Sequence, residues 1–192
     1  KIITTGEGGM ITTNKNKILK KFKQLRSQGM NITPNQREKL IQWKYDVVDL
    51  GYNYRLDEIR SSLGLSQLNR INNINKLRIK IANKYNKLLK NIKGISLPVI
   101  KSNRNHIFHL YSIKIEKEYN LTRDELFKKL YDKNIGTSVQ YYPLHLMSYN
   151  KNKYNNLDFP VANKIKNQIL CLPIFPTMTQ KQIQYVASNL VN

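Results

Sequence analysis

Lys1-Ile2-Ile3-Thr4-Thr5-Gly6-Glu7-Gly8-Gly9-Met10-Ile11-Thr12-Thr13 is the stretch from which the rest of the chain is read. β-Branched residues on either side of a glycine turn predict two short strands in a hairpin-like pair, and their abrupt start suggests a piece of something longer. Gly6 to Gly9 is neither a P-loop nor a dinucleotide fingerprint, since the Lys-Ser/Thr ending and the spacing are missing. Beyond it, Asn14 or Asn16 is placed to cap a helix with Ile18, Phe22 and Leu25 at helical spacing and Gly29 as its C′ residue. Residues 30–46 read as a long loop carrying Pro34, Trp43 and Tyr45.

The next stretch, Gly51-Tyr52-Asn53-Tyr54-Arg55, leads into a helix from about Asp57. A clearer helix follows, with Ile74, Leu77, Ile81, Tyr85, Leu88 and Ile92 on one face. Gly94 ends it, and Gly94 to Pro98 is the expected domain junction. After the junction, Ile107–Ile115, Gly136–Tyr142 and Leu170–Phe175 read as strands. Pro160 opens a short helix through Ile165 and Ile169. Thr122-Arg123-Asp124-Glu125 and Thr179-Gln180-Lys181-Gln182 read as capping boxes, the second heading a helix through Ile183, Val186 and Leu190. The whole is an α/β portion followed by a compact α+β module.

The charge balance is strongly basic, with 33 Lys and Arg against 12 Asp and Glu and a net charge of +21. About three-quarters of the basic residues are lysine, dispersed along the chain among many Asn and Ile. That is a solvated surface of A/T-rich coding origin, whereas a nucleic-acid reader concentrates arginine with aromatics on one face. No run of 18 apolar residues and no basic-then-apolar leader is present, so neither a membrane span nor a secretory signal is expected. The single cysteine, Cys171, sits in an apolar run and reads as a buried hydrophobe; a cytoplasmic setting fits. His106 and His109, on an expected strand, would point to opposite faces and could not share one metal.

Read together, Lys1–Met10, Leu50–Ile59, Leu63-Gly64-Leu65-Ser66-Gln67-Leu68, Tyr141-Tyr142-Pro143-Leu144-His145 and Leu172–Thr179 resemble, in order, the sugar-nucleotide aminotransferases of the DegT/DnrJ/StrS family. The resemblance covers essentially the whole chain and corresponds to the C-terminal half of the family's usual length. It implies a fragment of an aspartate-aminotransferase-like fold (pyridoxal-phosphate fold type I): the end of the large α/β domain over 1–93, then a small C-terminal α+β domain over 94–192. It also implies pyridoxal 5′-phosphate as cofactor, glutamate as amino donor and a homodimer with shared active sites. The substrate it implies is a keto-sugar nucleotide, a 4-keto-6-deoxy sugar first and a 3-keto sugar as the alternative. Nucleic acid and membrane are not expected partners, and the remaining non-enzymatic reading is a basic nucleic-acid-binding module.

By the same resemblance, Lys1 matches the lysine that holds the cofactor as an imine and moves the reacting proton, a role a primary amine suits once its pKa falls below the usual value near 10.4. The family's dehydratase branch carries histidine there, so a lysine argues for transamination. Asn53 matches the asparagine that reaches the partner subunit's cofactor phosphate; its other reading, a turn residue capping the next helix, competes with Asp57. Arg55 either contacts substrate phosphates or braces its loop. Tyr141 and His145 match the lining of the sugar-nucleotide pocket, and Gln140 stands where the family usually has histidine. Glu7 and Thr5 shape the loop beside Lys1, and Trp43 and Tyr45 are candidates to stack on a base or sugar. The pyridine-nitrogen carboxylate, the ring-stacking aromatic and the phosphate-binding helix start are expected upstream of Lys1, so this chain alone is expected to be inactive.

Overall fold

A computed structural model of the chain describes residues 2–41, 43–154 and 157–191. They fall into two compact units, Ile3–Arg70 and a second that begins at Ile71. The expected domain junction lies after Lys93, whereas the compact units part before Ile71, because the long helix that follows belongs to the second core.

In the first unit, α1 (Asn16–Arg26) starts after Lys15 with no side-chain cap. Neither asparagine caps it; instead the Thr13 hydroxyl accepts the Lys15 N–H at 3.1 Å. Inside the expected 30–46 loop lies α2 (Pro34–Lys39), started by a reciprocal box between Thr33 and Gln36. The third helix, α3 (Glu58–Asn69), has Asp57 as its N-cap, with Asp57 Oδ1 accepting the Arg60 N–H at 2.9 Å. Among the described residues, 2–13 form no strand. Local β propensity does not suffice without a partner to complete the ladder; Thr4 instead exchanges backbone hydrogen bonds with the Gln67 side chain (3.2 and 2.6 Å).

The second unit is α+β. Its elements are α4 (Ile71–Leu89), β1 (Ile95–Ser96), β2 (Tyr111–Ile115), α5 (Arg123–Asp132), a 3₁₀ turn (Leu144–Leu146), α6 (Ser148–Tyr154), α7 (Pro160–Ile165), β3 (Ile169–Leu172) and α8 (Gln180–Ser188). The sheet is antiparallel in the order β1-β2-β3, with Ile95 opposite Ile115 and Tyr111 opposite Leu172. Alternation along β2 buries Tyr111, Ile113 and Ile115. Onto these pack Ile81, Tyr85 and Leu89 of α4, Leu126 and Leu130 of α5, and Ile183 and Val186 of α8. Both capping boxes form as read, with the Thr122 and Thr179 side chains accepting from the N–H of Glu125 and Gln182.

Three polar devices fix this core. The hydroxyls of Tyr85, Tyr111 and Tyr119 donate to Pro173 O (3.0 Å), Asn86 Oδ1 (2.7 Å) and Leu190 O (2.9 Å). Burial pushes all three phenols above their ordinary pKa, so they serve as neutral donors. Arg78, only 7% exposed, donates from Nε and Nη2 to Phe108 O (2.9 and 2.7 Å) and from Nη2 to His109 O (2.6 Å). Glu116 gathers Ser96 Oγ (2.8 Å), Lys114 Nζ (3.2 Å) and Gln168 Nε2 (2.7 Å), tying β1 and β2 to the turn before β3.

The strands are shorter than their apolar runs, for identifiable reasons. Phe108 has φ +50°, and with its carbonyl held by Arg78 the chain turns there, so β2 begins only at Tyr111. The alternation argument for His106 and His109 therefore lapses; His106 Nδ1 accepts the Phe108 N–H at 3.0 Å. From 136 to 142 only Ser138 pairs with the sheet, opposite Cys171, before Pro143 and the 3₁₀ turn lead the chain away. Pro173, which has no N–H, ends β3 at Leu172. Ile165 ends α7, because Ile169 already belongs to the sheet. Cys171 is buried, its Sγ 3.2 Å from Ser112 Oγ.

Two outcomes follow from these contacts. Arg78→Met leaves two carbonyls without their donor and should lower unfolding stability by about 2–3 kcal/mol in urea titrations, with Arg78→Lys recovering part of it. The hydrogen bond from Ser96, then Lys114 and Gln168, holds the Glu116 carboxyl below the ordinary carboxylate pKa. Its contribution is therefore complete above the unfolded-state pKa and lost as pH falls through the folded one. Glu116→Gln should flatten that acid limb of the stability profile while the profile near neutrality keeps its shape.

Candidate active site

The candidate site residues of the first unit, Asn53 and Arg55, are positioned by the end of α1. An α-helix leaves its last carbonyls unpaired, and here the 52–54 segment supplies them with donors. Tyr52 N–H donates to Leu25 O (2.7 Å) and Tyr54 N–H to Arg26 O (2.9 Å), while Gln28 N–H returns a bond to Tyr52 O (3.0 Å). Val48 N–H donates to Gly29 O at 3.0 Å, and Ser27 pairs with Asn53 as an antiparallel bridge. Lys21 forms an ion pair with Asp49 across the same junction.

This approach is possible only with glycine on both sides. A Cβ on Gly29, which sits at φ +72°, would stand 1.8 Å from Asp49 O, and one on Gly51 would stand 2.0 Å from Gly29 N. Alternation along the extended segment then separates two pairs. Tyr52 and Tyr54 stack at 5.0 Å with their rings 7° from parallel. Asn53 and Arg55 are joined by Arg55 Nε donating to Asn53 Oδ1 at 3.2 Å. Arg55 also lines a cavity of about 710 Å³ with residues of α1. Lys1 lies outside the described residues. The Thr5 hydroxyl donates to Glu7 O at 2.9 Å, closing the turn beside it.

In the second unit, His145 Nε2 donates to Asn163 Oδ1 at 2.9 Å, and its ring stacks on Phe159 at 4.5 Å. Tyr154 packs edge-on against the same phenyl ring. Tyr141 is 73% exposed. Gln140 donates from Nε2 to Ser138 Oγ at 3.5 Å, and its Oε1 is buried with no partner among the described residues. In the first unit, Trp43 is 85% exposed, whereas the Tyr45 ring is covered by the Arg37 guanidinium, 4.4 Å from its centroid. Sequence reasoning passed over Lys20, Lys23 and Arg26, which line the cavity with Arg55, and Asn163, which holds His145. The only signal for the former is the i, i+3 spacing on α1, submerged among 25 lysines in all.

The fold is that of one half of a sugar aminotransferase. Helicobacter pylori PseC, an aminotransferase involved in pseudoaminic acid biosynthesis, superposes with a TM-score of 0.87 at 26% identity, covering 99% of this chain and 49% of that one. The model of the DegT/DnrJ/EryC1/StrS aminotransferase family matches residues 1–191, and the chain belongs to that family. It is 34% identical to the spore coat polysaccharide biosynthesis protein SpsC of Bacillus subtilis, over 97% of this chain and 49% of that protein. It is 32% identical to a UDP-4-amino-4,6-dideoxy-N-acetyl-beta-L-altrosamine transaminase of Campylobacter jejuni, over 99% of this chain and 49% of that protein. The chain thus spans about half the length of the relatives it matches. Among the described residues no cluster of His, Cys, Asp and Glu suits a metal ion, and no helix is long and apolar enough to cross a membrane.

Gly51→Ala should push the 49–54 segment off α1. Amide hydrogen exchange at Tyr52 and Tyr54 is expected to speed up by at least tenfold, while that of β2 in the second unit stays unchanged.

Proposed function

We propose that the full-length enzyme moves an amino group from glutamate to a keto-sugar nucleotide, with a 4-keto-6-deoxy sugar as acceptor. The observation that carries this reading is a family match running through 1–191 that includes the Asn53–Arg55 pair fixed on the end of α1. The names of two relatives, one in spore coat polysaccharide synthesis and one a UDP-amino-sugar transaminase, support an amino-sugar product destined for a surface polysaccharide. In this reading the first unit closes the large cofactor domain, the second unit, α4 included, forms the small domain, and the enzyme is a cytoplasmic homodimer.

The residues present fit pyridoxal phosphate. The oxygen of the Asn53 carboxamide is occupied by Arg55, which leaves its NH₂ to donate to a phosphate oxygen without adding charge. Lys1 would hold the aldehyde end and Asn53 the phosphate of the partner subunit's cofactor. When bound, the cofactor supplies the electron sink that makes a C–H bond beside nitrogen acidic. Lys1 Nζ then takes the proton from the donor's α-carbon, and in the second half-reaction it delivers one to the sugar carbon that receives the amine. That requires an amine whose pKa lies well below the usual lysine value, so that the neutral form is available near neutrality. Tyr141, open to solvent, presents a hydroxyl to the sugar nucleotide, and His145, locked by Asn163 and Phe159, shapes the wall beside it.

Lys1→Ala should abolish transamination in the full-length enzyme, and Asn53→Ala should release the cofactor. Because the two residues serve different sites of one dimer, mixing the inactive parents should restore roughly a quarter of the wild-type rate, half of the dimers each carrying one intact site. No recovery after verified subunit exchange would exclude shared sites. A wild-type enzyme that converts no keto-sugar nucleotide would end the reading itself.

A further inference from the structure

Among the described residues, His145 leaves one ring nitrogen without a partner. Its Nε2 is bonded to Asn163 Oδ1 at 2.9 Å, and one face of its ring lies on Phe159 at 4.5 Å. His106 is the contrast: its Nδ1 accepts the Phe108 N–H at 3.0 Å, so its acceptor is used within its own loop. A carboxamide oxygen only accepts, so Nε2 of His145 carries the proton and the neutral ring is left with a bare Nδ1. The described residues offer His145 no carboxylate partner. The hold on the ring is built from short turns. The Asn163 N–H donates to Phe159 O at 2.9 Å, closing the turn that opens α7 at Pro160. One residue therefore fixes Phe159 through its backbone and His145 through its side chain. Tyr154 braces Phe159 from the edge, 6.3 Å away with the planes 87° apart. His145 itself sits in the 3₁₀ turn, where Leu146 N–H donates to Pro143 O (3.0 Å) and Met147 N–H to Leu144 O (3.2 Å).

We infer that Asn163 is a positioning residue: it holds His145 in the Nε2–H form, so that Nδ1 accepts a hydroxyl or amide N–H of the substrate. The inference rests on the proposed function for the identity of that substrate, a keto-sugar nucleotide. Asn163 acts only through the imidazole. A histidine kept for packing alone gains most by pairing both nitrogens, because a part-buried polar atom without a partner is destabilising. Around His145 a stacked ring and one hydrogen bond fix the side chain while the second nitrogen stays open. Asn163 also sets the polarity of that open atom. A donor in place of its oxygen would leave the ring with an N–H at Nδ1, and the site would then favour an acceptor on the sugar instead of a donor. A wall that offers a fixed acceptor discriminates against sugars that lack the matching donor, since the acceptor is then left unpaired.

The test uses the full-length holoenzyme, wild type beside Asn163→Leu and Asn163→Asp, at about pH 9, where even a carboxylate-paired imidazole is neutral. Heteronuclear NMR of ring-labelled histidine reads the tautomer, with the His145 signals identified by their loss in His145→Gln. Wild type should show a protonated Nε2 and a bare Nδ1. Asn163→Leu, which keeps the volume but removes the acceptor, should give a mixture of tautomers. It should raise KM for the keto-sugar nucleotide about fivefold, with kcat within about twofold, KM for glutamate unchanged and the cofactor's absorption band retained. Asn163→Asp restores the acceptor and should recover both the tautomer and KM. If the leucine variant does not fold, Asn163→Ser, too short to reach Nε2, should give the same split. A bare Nε2 in wild type, or an unchanged nucleotide KM on loss of the acceptor, would overturn the inference while leaving amino transfer intact. So would an equal rise in both KM values that aspartate does not rescue, the mark of a merely structural contact. If wild type aminates no keto-sugar nucleotide while the tautomer still switches with Asn163→Leu, the positioning of His145 stands and the proposed function falls.

Discussion

The backbone at Gly51 passes so close to that at Gly29 that neither position has room for a β-carbon. The functional half of the first unit hangs on that contact. It lets the amides of Tyr52 and Tyr54 reach the unpaired carbonyls at the end of α1, so a helix terminus and an extended segment satisfy each other. Strand alternation then places Asn53 and Arg55 on one side and the tyrosine stack on the other. A side chain at either glycine would not merely strain a turn. It would uncouple the Asn53–Arg55 pair from the end of α1.

The second unit is held differently, by polar side chains that carry their own hydrogen-bond partners into the core. Its three buried tyrosines, each raised in pKa by desolvation, donate to a carbonyl or amide oxygen, and Arg78 serves two successive carbonyls with one guanidinium. Among the described residues Arg78 pairs with no carboxylate; burial lowers its pKa, and a guanidinium starts from so high a value that it keeps its charge. The same contacts punctuate the sheet. The carbonyls that Arg78 and Tyr85 occupy belong to the residues where β2 has yet to begin and where β3 has already stopped.

Much of this was legible because it is local. Asp57, Thr122–Glu125 and Thr179–Gln182 announce helix starts through bonds spanning three residues, and the α4 periodicity predicts a buried face. Thr33–Gln36 makes the same box but was read as loop, because α2 carries no apolar stripe behind it. Leu88 was placed on the buried face of α4, yet it is exposed and Arg78 lies in the face instead, since the carbonyls that reward its burial lie about thirty residues away. The two short strands expected on either side of Gly6–Gly9 do not form among the described residues 2–13 for the same reason: a strand exists only with its neighbour. At the site, the motif around Asn53 was visible as a pattern. The cavity was not, because convergence of α1 with the 52–55 segment is a property of the fold, and lysine is too common here for spacing to reveal it.

The first unit also shows why a half-length chain carries so much apolar surface. Along α3, Ile59 and Leu63 form one stripe and Leu65 and Leu68 another on the opposite side. All four are exposed, Ile59 to 83%. A helix apolar on one side packs on a core, whereas a helix apolar on two sides is built to lie between layers. Only Ser27, Gly29 and Met30 are buried among the described residues of this unit, far too little core to account for those stripes. The second unit closes its core with α4, α5 and α8 around three strands and has no such deficit. The two units therefore stand at different stages of completeness, and the incomplete one is the one that carries Asn53, Arg55 and the cationic cavity. Its apolar stripes are of the kind that a protein twice this length can cover, which is the length of the relatives it matches.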